Sequence, residues 1–185
     1  MDVEQAIRSR RTIKAFEPRP VDRETLDELL ELARWAPNHH LTNPWRFRVV
    51  GPKALERLKR ATGDLAVAGV GPAEAEDVAR AAAAKLDRAP TLIVCSLVRC
   101  EDPIEHEEDH HAAAAAAYIV LLAAHSRGIA GYWRTPGVLR TEAGCEAVGL
   151  SPDEDFIGLL HLGWAKQDAK PPEREPPAHY VTYLD

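Results

Sequence analysis

The sequence predicts a globular domain that mixes α-helices with β-strands, on three observations. Leu26, Leu29, Leu30, Ala33 and Ala36 recur at helical spacing behind Asp22, a good helix cap. Thr91–Val98 and Phe156–Trp164 are short, nearly continuous apolar runs, the pattern of strands buried on both faces. Hydrophobic residues make up 45% of 185 positions and charged residues 28%, enough apolar material for a true core. That length fits one domain spanning residues 1–185.

Val3, Ala6 and Ile7 mark a short first helix that runs into an extended basic stretch, Arg8–Lys14. Asp22 opens a second helix and Pro37 closes it. Pro44 releases the chain into Trp45–Val50, where bulky and charged residues alternate as in a strand. Pro52 starts a helix through Leu55 and Leu58 that should end near Ala61. Residues 63–72, with Gly63, Gly69, Gly71 and Pro72, read as a loop, and Ala73–Arg88 as an alanine-rich helix stopped by Pro90. Asp102 and Pro103 open the longest helix, which Gly128 ends. Its run Ala112–Ala117 favours helix and offers a small-residue face that a helix of another chain could approach closely. Ile129–Trp133 reads as a short strand, Thr135–Gly137 as a turn, and Thr141 as the cap of a small helix ending near Gly149. Pro171–Pro177 should be extended and solvated, and His179–Leu184 alternates like a last strand.

The net charge of −6 disfavours nucleic acid and anionic membranes as partners. No apolar run is long and uncharged enough to span a bilayer, and the N-terminus lacks a signal-peptide pattern. Cys95, Cys100 and Cys145 contain no Cys-x-x-Cys and suit reduced thiols, so a cytoplasmic location is expected.

The chemistry concentrates in two stretches. Arg8-Ser9-Arg10-Arg11-Thr12-Ile13-Lys14 places four cations and two hydroxyls within seven residues. Guanidinium forks and a rotatable hydroxyl match the oxygens of a phosphate group. Taken alone, such a cluster is better explained by a solvated basic turn. The second stretch is Ala36–Phe47, a helix end, a polar loop and then Asn43-Pro44-Trp45. A competing pattern is His106-Glu107-Glu108-Asp109-His110, a match to His-Glu-x-x-His. On a helix its two histidines share a face that could hold zinc for a hydrolase. Acidic residues in a first helical turn also complement the helix dipole, which is reason enough for them, and no metal site is expected here.

Arg10-Arg11-Thr12-x-Lys14, Pro37–Trp45 and Gly131-Tyr132-Trp133-Arg134-Thr135 together resemble three motifs of the flavin-dependent nitroreductases of the small, single-domain type. The tail Val181-Thr182-Tyr183 is similar to the end of those proteins, so the resemblance runs nearly the whole chain. It implies an α+β fold with a central, mostly antiparallel sheet flanked by helices. It also implies an intertwined homodimer that exchanges C-terminal strands, with FMN at the interface. The implied activity is hydride transfer from NAD(P)H through the flavin to small acceptors such as nitroaromatics or quinones. Arg10, Arg11 and Thr12 would hold the FMN phosphate, and Lys14 would lie near the flavin. Trp35 and His39 would contact the cofactor, and Trp133, Arg134 and Thr135 would reach it from the other subunit. The flavin carries the chemistry, so no catalytic residue is named. Leu41 and Asn43 depart from the family's usual Asn and Gln. Trp35, Trp45 and Trp133 also read as ordinary core aromatics, and a flavin-binding protein without turnover is a further alternative.

Overall fold

The computed structural model describes residues 1–184. Its strands are β1 (Trp45–Val49), β2 (Thr91–Val98), β3 (Ala130–Arg134) and β4 (Glu154–Gly163). They form one antiparallel sheet in the order β1-β2-β4-β3. The helices are α1 (Val3–Ser9), α2 (Arg23–Ala33), α3 (Pro52–Ala66), α4 (Pro72–Ala83), α5 (Pro103–Ser126) and α6 (Glu142–Val148). The α+β class and the antiparallel, helix-flanked sheet are as expected.

The central strands β2 and β4 are buried on both faces, and their alternation divides the core in two. Ile93, Cys95, Leu97, Leu160 and Leu162 meet α2 and α5 through Leu29, Ala33, Ala113, Ala116, Ala117 and Val120. On the other face Leu92, Val94 and Leu159 meet Leu58 of α3, Leu86, Leu139 and Val148 of α6. Each fully buried leucine stabilises this packing by about 1.5–3 kcal/mol. The polar edge of β4 is tied in by Arg48, whose guanidinium donates to both Glu154 carboxylate oxygens at 2.8 and 2.6 Å.

Four expectations need correction. Helix α3 continues past Ala61 to Ala66, because Gly63 packs against α4 instead of breaking the helix. A Cβ at Gly63 would lie 3.2 Å from that of Ala79, so the missing side chain lets the two helices touch. Helix α4 ends at Ala83 and gives way to a 3-10 turn at Ala84–Leu86. The alanine run of α5 is used within the chain: Ala112, Ala113, Ala116 and Ala117 are buried against its own sheet and α2. Finally, residues 179–184 form no strand in the single chain. A 3-10 turn at Pro177–His179 precedes a segment in which Tyr183 and Leu184 are almost fully exposed.

After α1 the chain crosses the end of the sheet where β3 begins and β4 finishes. Thr12 bridges Gly131 in parallel, and Phe16 bridges Ala165 antiparallel. Glu17 N donates to Trp164 O at 2.8 Å, and Lys166 N donates to Ala15 O at 3.1 Å. These bonds fix the basic stretch and the residues after it against β3 and the chain that leaves β4.

Candidate functional site at the end of the sheet

Asp2 caps α1 by accepting from Gln5 N at 2.8 Å, and the helix ends where Arg10 takes extended backbone. The arginines then divide their work. Arg11 folds back, donating from one terminal nitrogen to the carbonyls of Arg8 (2.6 Å) and Arg10 (2.8 Å). It thus satisfies carbonyls that the helix end leaves open. Arg10 reaches over the Tyr118 ring of α5, its guanidinium carbon 5.9 Å from the centroid. Its Nε is buried with no hydrogen-bond partner among the described residues. A buried donor without an acceptor is uncommon, and it fits a site made to receive an anion.

Beside it Ser9 donates to Gln5 O at 2.6 Å and lies 2.7 Å from His125 Nε2. Since the serine proton is committed, the imidazole Nε2–H donates to Ser9. Burial pushes the His125 pKa down, and the charges of Arg10 and Arg11 push it the same way, so the ring is neutral at pH 7. Ser9, Arg10, Arg11, Ile13 and His125, with the backbone at Gly128–Gly131, line a cleft of about 340 Å³. Thr12 and Lys14 are exposed beside it and line a neighbouring recess with Gln167 and Asp168. Sequence reasoning placed Ser9 in the cluster but missed His125 as its partner. Nothing in the spacing joins them, since they are 116 positions apart and meet only because α1 packs on α5.

The other expected residues lie elsewhere. Thr12 is anchored at the start of β3, and Thr135 follows its far end, four residues or roughly 13 Å along the strand. Strand alternation sends Trp133 and Arg134 to opposite faces. Trp133 packs on the α5 side, where its Nε1 donates to Ile157 O at 3.3 Å. Arg134 faces Tyr132 and His161 and lines a recess with Thr62, Lys85 and Val138. Trp133 is half-buried and lies against Gly158, where a Cβ would overlap the indole. Gly158→Ala is therefore expected to push Trp133 off the sheet and lower unfolding stability by about 1–3 kcal/mol. Urea unfolding followed by tryptophan fluorescence reads both effects, and an unshifted transition would show that the ring is not packed there.

Trp35 and His39 stand apart from the Arg10 cleft. Trp35 is 72% exposed and lines an apolar groove with Val3, Leu32, Ile119 and Leu122. His39 lies at the opposite end of α5, with Nδ1 2.7 Å from Glu108. Glu108 precedes Tyr118, the rest of Arg10, by ten residues of helix, about 15 Å along its axis. One chain therefore does not bring His39 and Arg10 to a common ligand-contact point. The His-Glu-x-x-His pattern gains no support: His106 Nε2 pairs with Asp155 at 3.0 Å, its Nδ1 accepts from Cys100 N, and His110 is exposed.

Fold and cleft together define an α+β protein with a cationic cleft at one end of an antiparallel sheet. The chain belongs to the nitroreductase family, whose family model matches residues 7–164. It is 29% identical over 185 residues to the Escherichia coli (strain K12) protein named "Putative NAD(P)H nitroreductase YdjA", with 98% of each chain covered. Its fold is similar to that of a nitroreductase-like family protein from Bacillus cereus, with TM-score 0.86, 23% identity and coverage of 100% and 97%. It is also similar in fold to the FMN and NADPH-dependent nitroreductase NfnB from Sphigopyxis sp. strain HMH, with TM-score 0.78, 18% identity and full coverage of both chains. Among the described residues no helix is long and apolar enough to cross a membrane.

Proposed function

We propose that the protein is an FMN-dependent NAD(P)H oxidoreductase that passes a hydride to small organic acceptors such as nitroaromatics or quinones. The observation that carries this reading is the buried, unpartnered Arg10 Nε in a cleft bordered by Thr12 and Lys14. The donor set fits a phosphomonoester: Arg10 supplies charge-assisted bonds, Thr12 a hydroxyl, and Lys14 a second cation at the rim. Arg11 acts one step back, holding the turn that aims Arg10. Neutral His125 keeps Ser9 in place without adding to the charge. When bound, the flavin would supply two-electron chemistry, and the protein would hold and orient it. A cation such as Lys14 beside the ring would favour the negative charge that reduction places there.

Trp35 and His39 belong to this site only if a second chain supplies them, and the exposed Trp35 groove supports a homodimer. The segment Trp133–Thr135, at the other end of β3 from Thr12, is assigned to the same composite site, with Trp133 acting from its packed position. Sequential titration with FMN and FAD tests the cofactor. One FMN per chain and much weaker FAD binding are expected, read by quenching of flavin fluorescence. No binding of either flavin would overturn the reading. Light scattering on the loaded protein is expected to give a dimer, and a monomer that keeps its flavin would refute the composite site.

A further inference from the structure

We propose that His39, His40 and Glu108 form a binding site for a divalent transition-metal ion of the zinc type. One ligand atom from each of the three lies within 4.8 Å of the other two. The two imidazoles stack with centroids 3.8 Å apart, and His39 Nδ1 is 2.7 Å from Glu108 Oε2. A tetrahedral ion with bonds of about 2.0–2.1 Å needs donors only about 3.3 Å apart, so rotations that unstack the two imidazoles and turn both toward Glu108 close the site. Two imidazoles with one carboxylate select a borderline cation over magnesium or calcium, which prefer all-oxygen shells. The exposed setting leaves further coordination positions to water or a ligand.

The loop that carries the two histidines is held in an unusual shape. His40, Leu41 and Asn43 have φ of 58°, 54° and 49°, left-handed values that non-glycine residues rarely take. Buried Asp109, next to Glu108 on α5, accepts from the Thr42 hydroxyl and from Asn38 Nδ2. Asn38 Oδ1 in turn accepts from Asn43 N at 2.7 Å. This knot fastens both ends of the loop to α5 and fixes the histidines over Glu108. Backbone held in rare conformations by its surroundings is a mark of a functional position. Sequence spacing could not reveal the group, because His39 and Glu108 are 69 residues apart. Nor does it coincide with the His-Glu-x-x-His pattern, since Glu108 is an intervening residue of that motif and not one of its expected ligands.

His39 is shared with the proposed composite flavin site, so the metal site is tested on the untagged full-length protein both without and with FMN, by Zn²⁺ titration against a chromophoric chelator. One Zn²⁺ per chain is expected, with affinity falling at least tenfold in His40→Ala and in Glu108→Gln and holding in His110→Ala. Circular dichroism checks that each variant stays folded. Two results would overturn the site: no Zn²⁺ taken from the chelator, or binding that survives both His40→Ala and Glu108→Gln. Loss of Zn²⁺ in His110→Ala alone would move the metal to the motif on α5.

Discussion

Arg10→Ala is expected to weaken FMN binding ten- to a hundredfold while leaving the unfolding transition in place. Charge-assisted hydrogen bonds to phosphate are worth about 1.5–3 kcal/mol, and about 1.4 kcal/mol is tenfold in affinity. The fold should tolerate the change. Arg10 Nε has no hydrogen-bond partner, so its removal strands no buried acceptor, and Tyr118 loses only a cation resting on its ring. Arg11→Ala should behave differently, because it deletes both bonds that close the end of α1. Its effect on flavin affinity should come with a looser N-terminal helix. Fluorescence quenching by the two variants, measured beside urea unfolding, separates the roles. Unchanged affinity in Arg10→Ala would reduce the cluster to a solvated turn.

The second large effect concerns pH and arises in the core, on the sheet face away from α5. His161 is fully buried on β4, stacked on Tyr132 with centroids 4.3 Å apart. Neither ring nitrogen has a hydrogen-bond partner among the described residues, and the Tyr132 hydroxyl is also unpartnered. Burial pushes the imidazole pKa from 6.5 down to about 3, and the charges of Arg134 and Arg88 act in the same direction. The sign follows from proton counts: between these values the unfolded chain binds a proton that the native chain does not. The histidine's contribution is therefore complete above pH 6.5 and is lost as pH falls toward 3. Between pH 7.5 and 4.5 that loss amounts to about 3 kcal/mol. His161→Leu should remove it, and should also raise stability at pH 7.5 by about 1–2 kcal/mol by replacing an unpartnered polar ring. Urea unfolding of both proteins at the two pH values decides the matter. Equal losses on acidification would show that His161 is partnered or already protonated.

Much of this molecule was legible in the sequence, for identifiable reasons. β2 was readable because Thr91–Val98 is apolar on both faces, which only a central strand requires. Asp22, Asp102 and Thr141 announced their helices because each cap bonds a backbone N–H within three residues, a local event. Gly63 misled because local propensity sees a helix breaker, whereas contact with Ala79 comes from elsewhere in the chain. The alanine run misled likewise: its helical character is local, but which face it covers is decided by packing. At the site, the cationic stretch was visible as a cluster, but not the division between Arg10, which rests over Tyr118 with its Nε unpartnered, and Arg11, which closes a helix. His125 and Glu108 were not recoverable as partners of Ser9 and His39. Those contacts depend on how α1 and the loop after α2 dock along a 24-residue helix.

The central claim is that Arg10, Thr12 and Lys14 hold a flavin that accepts electrons from a nicotinamide. Anaerobic addition of NADPH or NADH to the FMN-loaded protein tests it most directly, with the visible absorbance of the flavin as the readout. The account predicts rapid bleaching by at least one of the two nucleotides and recovery of the yellow colour when a quinone is admitted. Flavin that stays bound and oxidised with both nucleotides present would contradict it and leave a protein that binds FMN without turning it over.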